Sequence, residues 1–153
     1  LDVMRAGQDL TDVHSAVLTG MRAVLVKARP ALVLVHGDTT TTLATVLAAF
    51  YAGIPVGHIE AGLRSGRIDA PYPEEMNRRV ASMIARYHFA PTPASAANLL
   101  REGVDAASIV VTGNTVVDAL RACVSRFETD PPWRSAIETR LARTLGFDWR
   151  AER

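Results

Sequence analysis

The sequence predicts an α/β fold of the Rossmann-like kind, in which a parallel sheet carries helices on both faces. Short apolar runs alternate with segments whose apolar residues recur at helical spacing. Residues 31–35 form an unbroken apolar run, which is typical of a strand covered on both faces. Carboxylates follow two of the apolar runs, at the strand ends where sheets of this kind bind ligands.

Turn residues and proline separate the predicted elements. Arg29-Pro30 ends the first helix, and Gly53 with Pro55 ends the second. In chain order we expect a strand end and loop (1–9), a helix from Thr11, a strand (31–35), a helix (43–51), a strand (54–59), a helix (73–87), a strand (88–90), a helix (94–101), a strand (109–112) and two helices (116–127 and 133–145).

The composition is that of an ordinary globular chain. It has 153 residues, 48% of them hydrophobic and 22% charged, and a formal net charge of +1, which favours neither a nucleic-acid surface nor an acidic tail. No apolar run approaches the roughly 20 residues that cross a bilayer, and no signal peptide is recognisable at the N-terminus. The single cysteine, Cys123, excludes an internal disulfide and is expected to be a buried filler. We therefore expect a cytoplasmic protein.

Two carboxylates stand where predicted strands stop. Asp38 follows the first apolar run and Glu60 ends the second. Because parallel strands end at the same edge of a sheet, the two acids should lie close together. Glu60 is a candidate site residue, although a solvated loop position is also compatible with the pattern.

A third acidic group opens the helix after Pro73. Glu74 and Glu75 occupy its first turn, where the helix dipole favours negative charge, and this alone could explain them. A functional interpretation requires one of the two to face the strand ends. Arg78 lies on the same helix face, four residues after Glu74, and is well placed to orient a carboxylate.

Several other polar residues have two interpretations. The turn at residues 37–42 (Gly-Asp-Thr-Thr-Thr-Thr) could cap a helix or cradle a phosphate. Arg64 and Arg67 could pair with Glu60, bind a phosphate or be solvated. His36 and His58 alternate with apolar neighbours, which favours hydrogen-bonded core histidines over catalytic ones.

Neither a metal nor a dinucleotide is indicated. The three carboxylates could bind a divalent cation, but their spacing fits no metal loop. The chain contains no Gly-x-Gly-x-x-Gly, so nothing in it points to a dinucleotide cofactor.

Four motifs taken together resemble the non-hydrolysing UDP-N-acetylglucosamine 2-epimerases, in order and with matching spacing from about residue 8 to residue 120. They are His36-Gly-Asp-Thr-Thr-Thr-Thr-Leu-Ala44, His58-Ile-Glu-Ala-Gly-Leu-Arg64, Pro73-Glu-Glu-Met-Asn-Arg78 and Thr112-Gly-Asn-Thr-Val-Val-Asp118.

The resemblance implies a two-domain fold of the glycosyltransferase-B kind. It also implies interconversion of UDP-N-acetylglucosamine and UDP-N-acetylmannosamine by elimination and re-addition of UDP through 2-acetamidoglucal. Neither a cofactor nor a catalytic metal is expected. Carried over by motif, Asp38, Glu60 and Glu74 match the catalytic carboxylates, while Asp38, Glu60 and Arg78 match substrate-binding positions. The implied partner is a UDP-sugar, with no nucleic acid and no membrane, and the implied assembly is a homodimer when full length.

The resemblance also implies that parts of the family's pattern lie outside this chain. The family's opening strand with its Gly-Thr-Arg-Pro-Glu turn would precede residue 1, and its His-Arg-Arg-Glu motif and uridine-binding domain would follow residue 153. We therefore expect residues 1–127 to form an incomplete N-terminal Rossmann-like domain and residues 128–153 to lead to a second domain. The isolated chain should be inactive.

Two other functions remain open on the sequence. One is a hydrolysing relative that releases free N-acetylmannosamine and UDP. The other is a non-catalytic module that binds a sugar nucleotide or a protein partner. Product analysis of the full-length protein separates these from an epimerase.

Overall fold

The computed structural model describes residues 1–146 and divides the chain by its contacts into two compact units, Leu1–Gly113 and Asn114–Arg153. Within the described residues, the first unit contains four strands and four helices, and the second contains two helices. In order they are α1 (Leu10–Ala28), β1 (Val33–His36), α2 (Thr40–Tyr51), β2 (Val56–Ile59), α3 (Glu74–Ile84), β3 (Tyr87–Ala90), α4 (Pro93–Arg101), a 3-10 turn (Ala106–Ser108), β4 (Ile109–Val111), α5 (Thr115–Thr129) and α6 (Pro131–Leu145).

The four strands form one parallel sheet in the order β1-β2-β3-β4, which confirms the predicted α/β fold. His36 pairs with Ile59 at the ends of β1 and β2, so the segments that follow these strands leave the sheet side by side. Because the strands are adjacent in chain order, right-handed crossovers place the connecting helices α2, α3 and α4 on the same face of the sheet.

The core of the first unit lies between this face and its helices. Val35 and Val56 contribute from the strands, Val46 and Ala49 from α2, and Leu25 from α1. All five side chains are buried. The opposite face bears large apolar side chains that are partly open to solvent within the described residues: Leu34 is 56% exposed, Val110 52% and Tyr87 39%.

Polar caps fix where the helices begin. Asp9 and Asp12 form a reciprocal capping box at α1. Thr39 caps α2, which therefore starts at Thr40, three residues before the predicted start. Thr92 caps α4, with Pro93 at the first helical position.

The second unit is a pair of helices whose described residues include no buried side chain. Asn114 caps α5, and the side chain of Asp130 accepts a hydrogen bond from the Trp133 N–H of α6. Cys123 is exposed, so the prediction of a buried cysteine is wrong. Helical periodicity placed it among apolar neighbours, but α5 buries none of them.

Two other expectations concern the ends of the chain. The strand end predicted within residues 1–9 is wrong, because these residues form no strand. The predicted boundary between residues 127 and 128 stays a prediction about the whole protein, and part of the segment 128–153 lies outside the described residues. No helix within residues 1–146 combines the length and apolar character needed to cross a membrane.

Candidate functional site

The turn that carries Asp38 is held through its backbone from three directions. The Thr42 hydroxyl donates to the His36 carbonyl oxygen at 2.8 Å, the Asn77 side chain donates to the Asp38 carbonyl oxygen at 2.8 Å, and the Gly37 N–H donates to the Ile59 carbonyl oxygen at 3.0 Å. These bonds come from α2, α3 and β2. The backbone that presents the Asp38 carboxylate is therefore fixed by three elements.

The buried His58 adds a fourth hold on the same turn. Its Nε2 lies 2.8 Å from the Gly37 carbonyl oxygen, which can only accept, so Nε2 carries the proton. Burial lowers the pKa of His58, and the bond to Gly37 opposes this only in part. His58 is therefore a neutral, buried imidazole that donates its Nε2–H to the Gly37 carbonyl oxygen, which confirms the predicted core histidine.

The same prediction is wrong for His36. Its side chain is 53% exposed, and its Nε2 lies 3.8 Å from the Glu60 Oε2. Both histidines alternate with apolar residues in sequence, but they project from opposite faces of the sheet. The face that bears His36 is the one left partly open.

Glu60 leaves β2 in a left-handed backbone conformation, with φ of 68°. A side chain other than glycine is uncommon there, and such strained residues cluster at ligand sites. The Glu60 Oε2 lies 3.5 Å from the place that a Cβ on Gly37 would take. Glu60 and the Asp38 turn therefore meet at the carboxyl edge of the sheet, as the sequence predicted, and the Glu60 side chain is 25% exposed to solvent.

Gly62 packs the segment after Glu60 tightly against α4. Its φ is 86°, and a Cβ there would lie 2.2 Å from the Ser95 carbonyl oxygen. The Asn98 side chain donates to the Gly62 carbonyl oxygen at 2.9 Å. Only glycine fits this position, so close packing fixes the direction in which the chain leaves Glu60.

The first turn of α3 supplies a buried carboxylate, and it is Glu75. Its side chain is fully buried, and its oxygens accept from the Ser65 N–H at 3.1 Å, Arg78 Nη1 at 3.3 Å and Arg79 Nε at 3.0 Å. Burial raises the pKa of the Glu75 carboxyl, but the bonds from Ser65 and Arg79 and the charge of Arg78 outweigh it. The net pKa lies below the ordinary value, so Glu75 is ionised at neutral pH.

Arg78 joins this group to the Asp38 turn. Its Nη2 donates to the Asp38 Oδ2, while its Nη1 donates to Glu75, and its side chain is 12% exposed. The sequence predicted that Arg78 would orient a carboxylate. The structure shows that it orients Asp38 from across the site and pairs with Glu75 rather than Glu74.

Glu74, the acid that the motif match selects, is half-buried at the start of α3. Among the described residues its carboxylate has neither a hydrogen bond nor an ion pair. The structure thus joins Asp38 to Arg78 by an ion pair and places Glu60 beside the Asp38 turn, whereas Glu74 is near them only through its position at the start of α3. Sequence reasoning left Glu74 and Glu75 open and the motif match selected Glu74, although the arginines three and four residues after Glu75 favoured Glu75 as the paired carboxylate.

The remaining polar candidates have structural partners. Arg64 donates to both carboxylate oxygens of Glu102, at 2.7 and 2.6 Å. Arg67 pairs with Asp69 at 3.0 Å, and both side chains are largely exposed. In the turn at residues 37–42, Thr39 accepts the Thr42 N–H at 3.3 Å, which confirms helix capping. No group of three or more His, Cys, Asp and Glu side chains within residues 1–146 is arranged to hold a metal ion.

Comparison with known proteins identifies the family. The family profile described as UDP-N-acetylglucosamine 2-epimerase matches residues 1–145. The chain belongs to the UDP-N-acetylglucosamine 2-epimerase family. A UDP-N-acetylglucosamine 2-epimerase of Yersinia pestis is 51% identical over 142 residues, which are 93% of this chain and 38% of that protein.

Solved structures of this family share the fold. The UDP-N-acetylglucosamine 2-epimerase of Neisseria meningitidis, bound to UDP-N-acetylglucosamine, matches 96% of this chain and 38% of its own, with a TM-score of 0.84 and 43% identity. The enzyme of Methanocaldococcus jannaschii, in complex with UDP-N-acetylglucosamine and UDP, matches 87% of this chain and 36% of its own, with a TM-score of 0.80 and 38% identity. The chain therefore spans little more than a third of these relatives, and the predicted fold and family are confirmed.

Proposed function

We propose that the full-length protein interconverts UDP-N-acetylglucosamine and UDP-N-acetylmannosamine. The observation that carries this proposal is the match of 96% of the chain to a relative whose structure holds UDP-N-acetylglucosamine. The carboxylates at the carboxyl edge of the sheet support it, because inversion at carbon 2 needs acid and base groups near that atom.

The proposed reaction proceeds by elimination and re-addition. A carboxylate removes the proton from carbon 2, and the electron pair of that C–H bond forms the double bond between carbons 1 and 2. The bond from carbon 1 to the UDP oxygen breaks, and UDP leaves with its electron pair. In the return step the UDP oxygen bonds to carbon 1, and carbon 2 of 2-acetamidoglucal takes a proton on its other face.

The chain offers three carboxylates for these proton transfers. Asp38, Glu60 and Glu74 are the proposed acid/base group, with Asp38 and Glu60 also binding substrate. Arg78, also a proposed substrate-binding residue, holds the Asp38 carboxylate through its Nη2. The bonds from Thr42, Asn77 and His58 described above keep the Asp38 turn fixed, which is the kind of preorganisation that efficient proton transfer requires.

The wider setting belongs to the same proposal. We expect a homodimeric cytoplasmic enzyme of a bacterium, whose product enters the synthesis of surface polysaccharide. Family membership supports this setting, and so does the presence of a single cysteine, which fits a reducing compartment. Size-exclusion chromatography with light scattering of the full-length protein tests the dimer.

The test of the reaction is an incubation of the full-length protein with UDP-N-acetylglucosamine in deuterated water without NAD. We expect UDP-N-acetylmannosamine with deuterium at carbon 2, together with traces of UDP and 2-acetamidoglucal. Retention of the original hydrogen at carbon 2 in the epimerised product would exclude elimination. Free N-acetylmannosamine with stoichiometric UDP as the end product would identify a hydrolysing enzyme instead.

A further inference from the structure

We propose that Glu75 is a positioning residue of this active site, which holds the Arg78 guanidinium against Asp38 and fixes the segment after Glu60 at Ser65. Glu75 contacts no substrate in this proposal and acts through Arg78. Its kinetic test rests on the proposed epimerase function, whereas its structural test does not.

The first support is that Glu75 is a fully buried, ionised carboxylate. Its side chain has no exposed surface, and three donors from two segments surround its carboxylate, namely Ser65, Arg78 and Arg79. A buried ion pair is weak evidence for stability, because desolvation offsets much of the attraction. Its geometry is therefore the stronger guide to its role.

The second support is the way in which Arg78 is held. Its guanidinium is planar, and its two terminal nitrogens donate to carboxylates on two different elements, Glu75 within α3 and Asp38 after β1. Two fixed nitrogens define the plane and rotation of the group. The third nitrogen, Nε, is buried and has no hydrogen-bond partner within residues 1–146, so it gives no further anchor there. Loss of the Glu75 contact would leave Asp38 as the sole anchor of the guanidinium among these contacts.

The third support is the contact with Ser65. The Glu75 Oε2 that accepts from Arg78 also accepts the Ser65 N–H at 3.1 Å. The Ser65 hydroxyl lies 2.5 Å from the Ala70 carbonyl oxygen, to which it donates, and 3.1 Å from that of Arg67, so it closes the segment that follows Glu60. One carboxylate oxygen thus ties together the segment after β2 and the arginine that reaches the turn after β1.

The kinetic test uses Glu75→Gln in the full-length enzyme. Glutamine preserves the shape and one acceptor oxygen but removes the charge that holds Arg78. Since misplacement of catalytic groups by about 1 Å can cost up to ~10²-fold in rate, we expect kcat to fall by about tenfold. KM should rise at the same time, because Arg78 is itself a proposed substrate-binding residue and would be displaced.

The matched control is Arg79→Gln. Arg79 pairs with the same carboxylate at 3.0 Å but is 38% exposed and does not contact Asp38. This variant should leave kcat within about twofold of wild type, a change that an indirect contact allows. In the double variant Glu75→Gln/Arg78→Gln, the rate should equal that of Arg78→Gln alone, because the glutamine oxygen can still accept the Ser65 N–H and the loss caused by Glu75→Gln passes through Arg78.

Glu75→Asp keeps the variant series informative if the glutamine variant fails to fold. It retains the charge but withdraws the carboxylate by one methylene, and we expect smaller changes in kcat and KM than in Glu75→Gln. A lowered melting temperature with wild-type kcat in the folded variants would overturn the proposal. Additive losses in the double variant would overturn it as well.

A crystal structure of the full-length Glu75→Gln protein tests the proposal without any measurement of activity. We expect the contact between Arg78 Nη2 and Asp38 Oδ2 to be lost or the guanidinium to be rotated. An unchanged Arg78 would overturn the proposal. If the wild-type protein epimerises nothing, the proposed function fails, and this structure still decides the role of Glu75.

Discussion

The carboxyl edge of the sheet and the pair of helices α5 and α6 use polar side chains in opposite ways. At the sheet edge, His58 reaches Gly37 across 21 residues, and Arg78 reaches Asp38 across 40. In the helix pair, Arg126 and Asp130 are four residues apart and so belong to one stretch of chain. Contacts of the second kind need only a helix, whereas those of the first kind exist only in the assembled fold. The sheet edge is thus the region in which substitutions should have large and coupled effects.

Gly62→Ala should have the largest effect on folding. The new Cβ would meet the Ser95 carbonyl oxygen at 2.2 Å, and the residue would keep a φ of 86°. Overpacking costs about 1–3 kcal/mol and a left-handed conformation about 1–2 kcal/mol, so we expect a loss of roughly 3 kcal/mol. Chemical denaturation of the full-length protein measures it.

The matched control is Gly66→Ala in the same segment. Gly66 has a similar φ of 83° but nothing within 4 Å of the added Cβ, so only the conformational cost of about 1–2 kcal/mol applies. Equal losses in the two variants would show that packing against α4 does not constrain the segment after Glu60.

His58 should produce a smaller effect that depends on pH. Burial holds the pKa of His58 below its ordinary value of 6.5, so the unfolded chain binds this proton more readily than the folded one. The free energy of unfolding should therefore fall as pH drops below about 6.5, by at most ~1.4 kcal/mol per pH unit from this single proton. Denaturation midpoints of the full-length protein between pH 7.5 and 5 report the slope.

The comparison variant for this measurement is His58→Gln, which can still donate a hydrogen bond but does not titrate. Its unfolding free energy should lose that component of the slope below pH 6.5. An unchanged slope would mean that the His58 imidazole takes up its second proton as readily in the folded as in the unfolded chain, contrary to its burial.

The smallest effect should come from the helix pair. Arg126→Gln removes a 3.4 Å contact with Asp130 and the stacking of the guanidinium 4.7 Å from the Trp133 ring centre. An exposed pair and an exposed cation–π contact contribute about 1 kcal/mol or less together. Arg121→Gln, an exposed position of α5 without a pairing among the described residues, is the control for charge alone. A loss above about 2 kcal/mol for Arg126→Gln would place this helix among the tightly coupled parts of the chain.

The sequence predicted what depends on neighbouring residues. The alternation of helices and strands, the capping turn at residues 37–42 and the position of Asp38 and Glu60 at adjacent strand ends all follow from local patterns. In that turn the Thr39 side chain accepts the N–H of Thr42, only three residues away. The predicted start of α2 lies three residues too late because the threonines after Thr39 have low helix propensity. In the structure the Thr39 cap sets the boundary at Thr40.

What the sequence could not predict depends on distant partners. Glu74 and Glu75 are adjacent and chemically equal, and Glu75 differs in being buried and in accepting the N–H of Ser65, ten residues away. Arg64 forms an ion pair with Glu102, 38 residues away, rather than with Glu60. Cys123 lies in an apolar stretch whose helix buries nothing in its own unit. In each case the deciding contact or its absence belongs to tertiary structure.

The most direct test of the central claim is the rate of epimerisation by the full-length enzyme with Asp38→Asn, Glu60→Gln or Glu74→Gln. Loss of an acid/base group should lower kcat by ~10²-fold or more in each, with the melting temperature nearly unchanged. Asp69→Asn, an exposed carboxylate paired only with Arg67 among the described residues, should keep wild-type turnover. Near-normal turnover in all three site variants would contradict the account that the carboxyl edge of this sheet carries the chemistry.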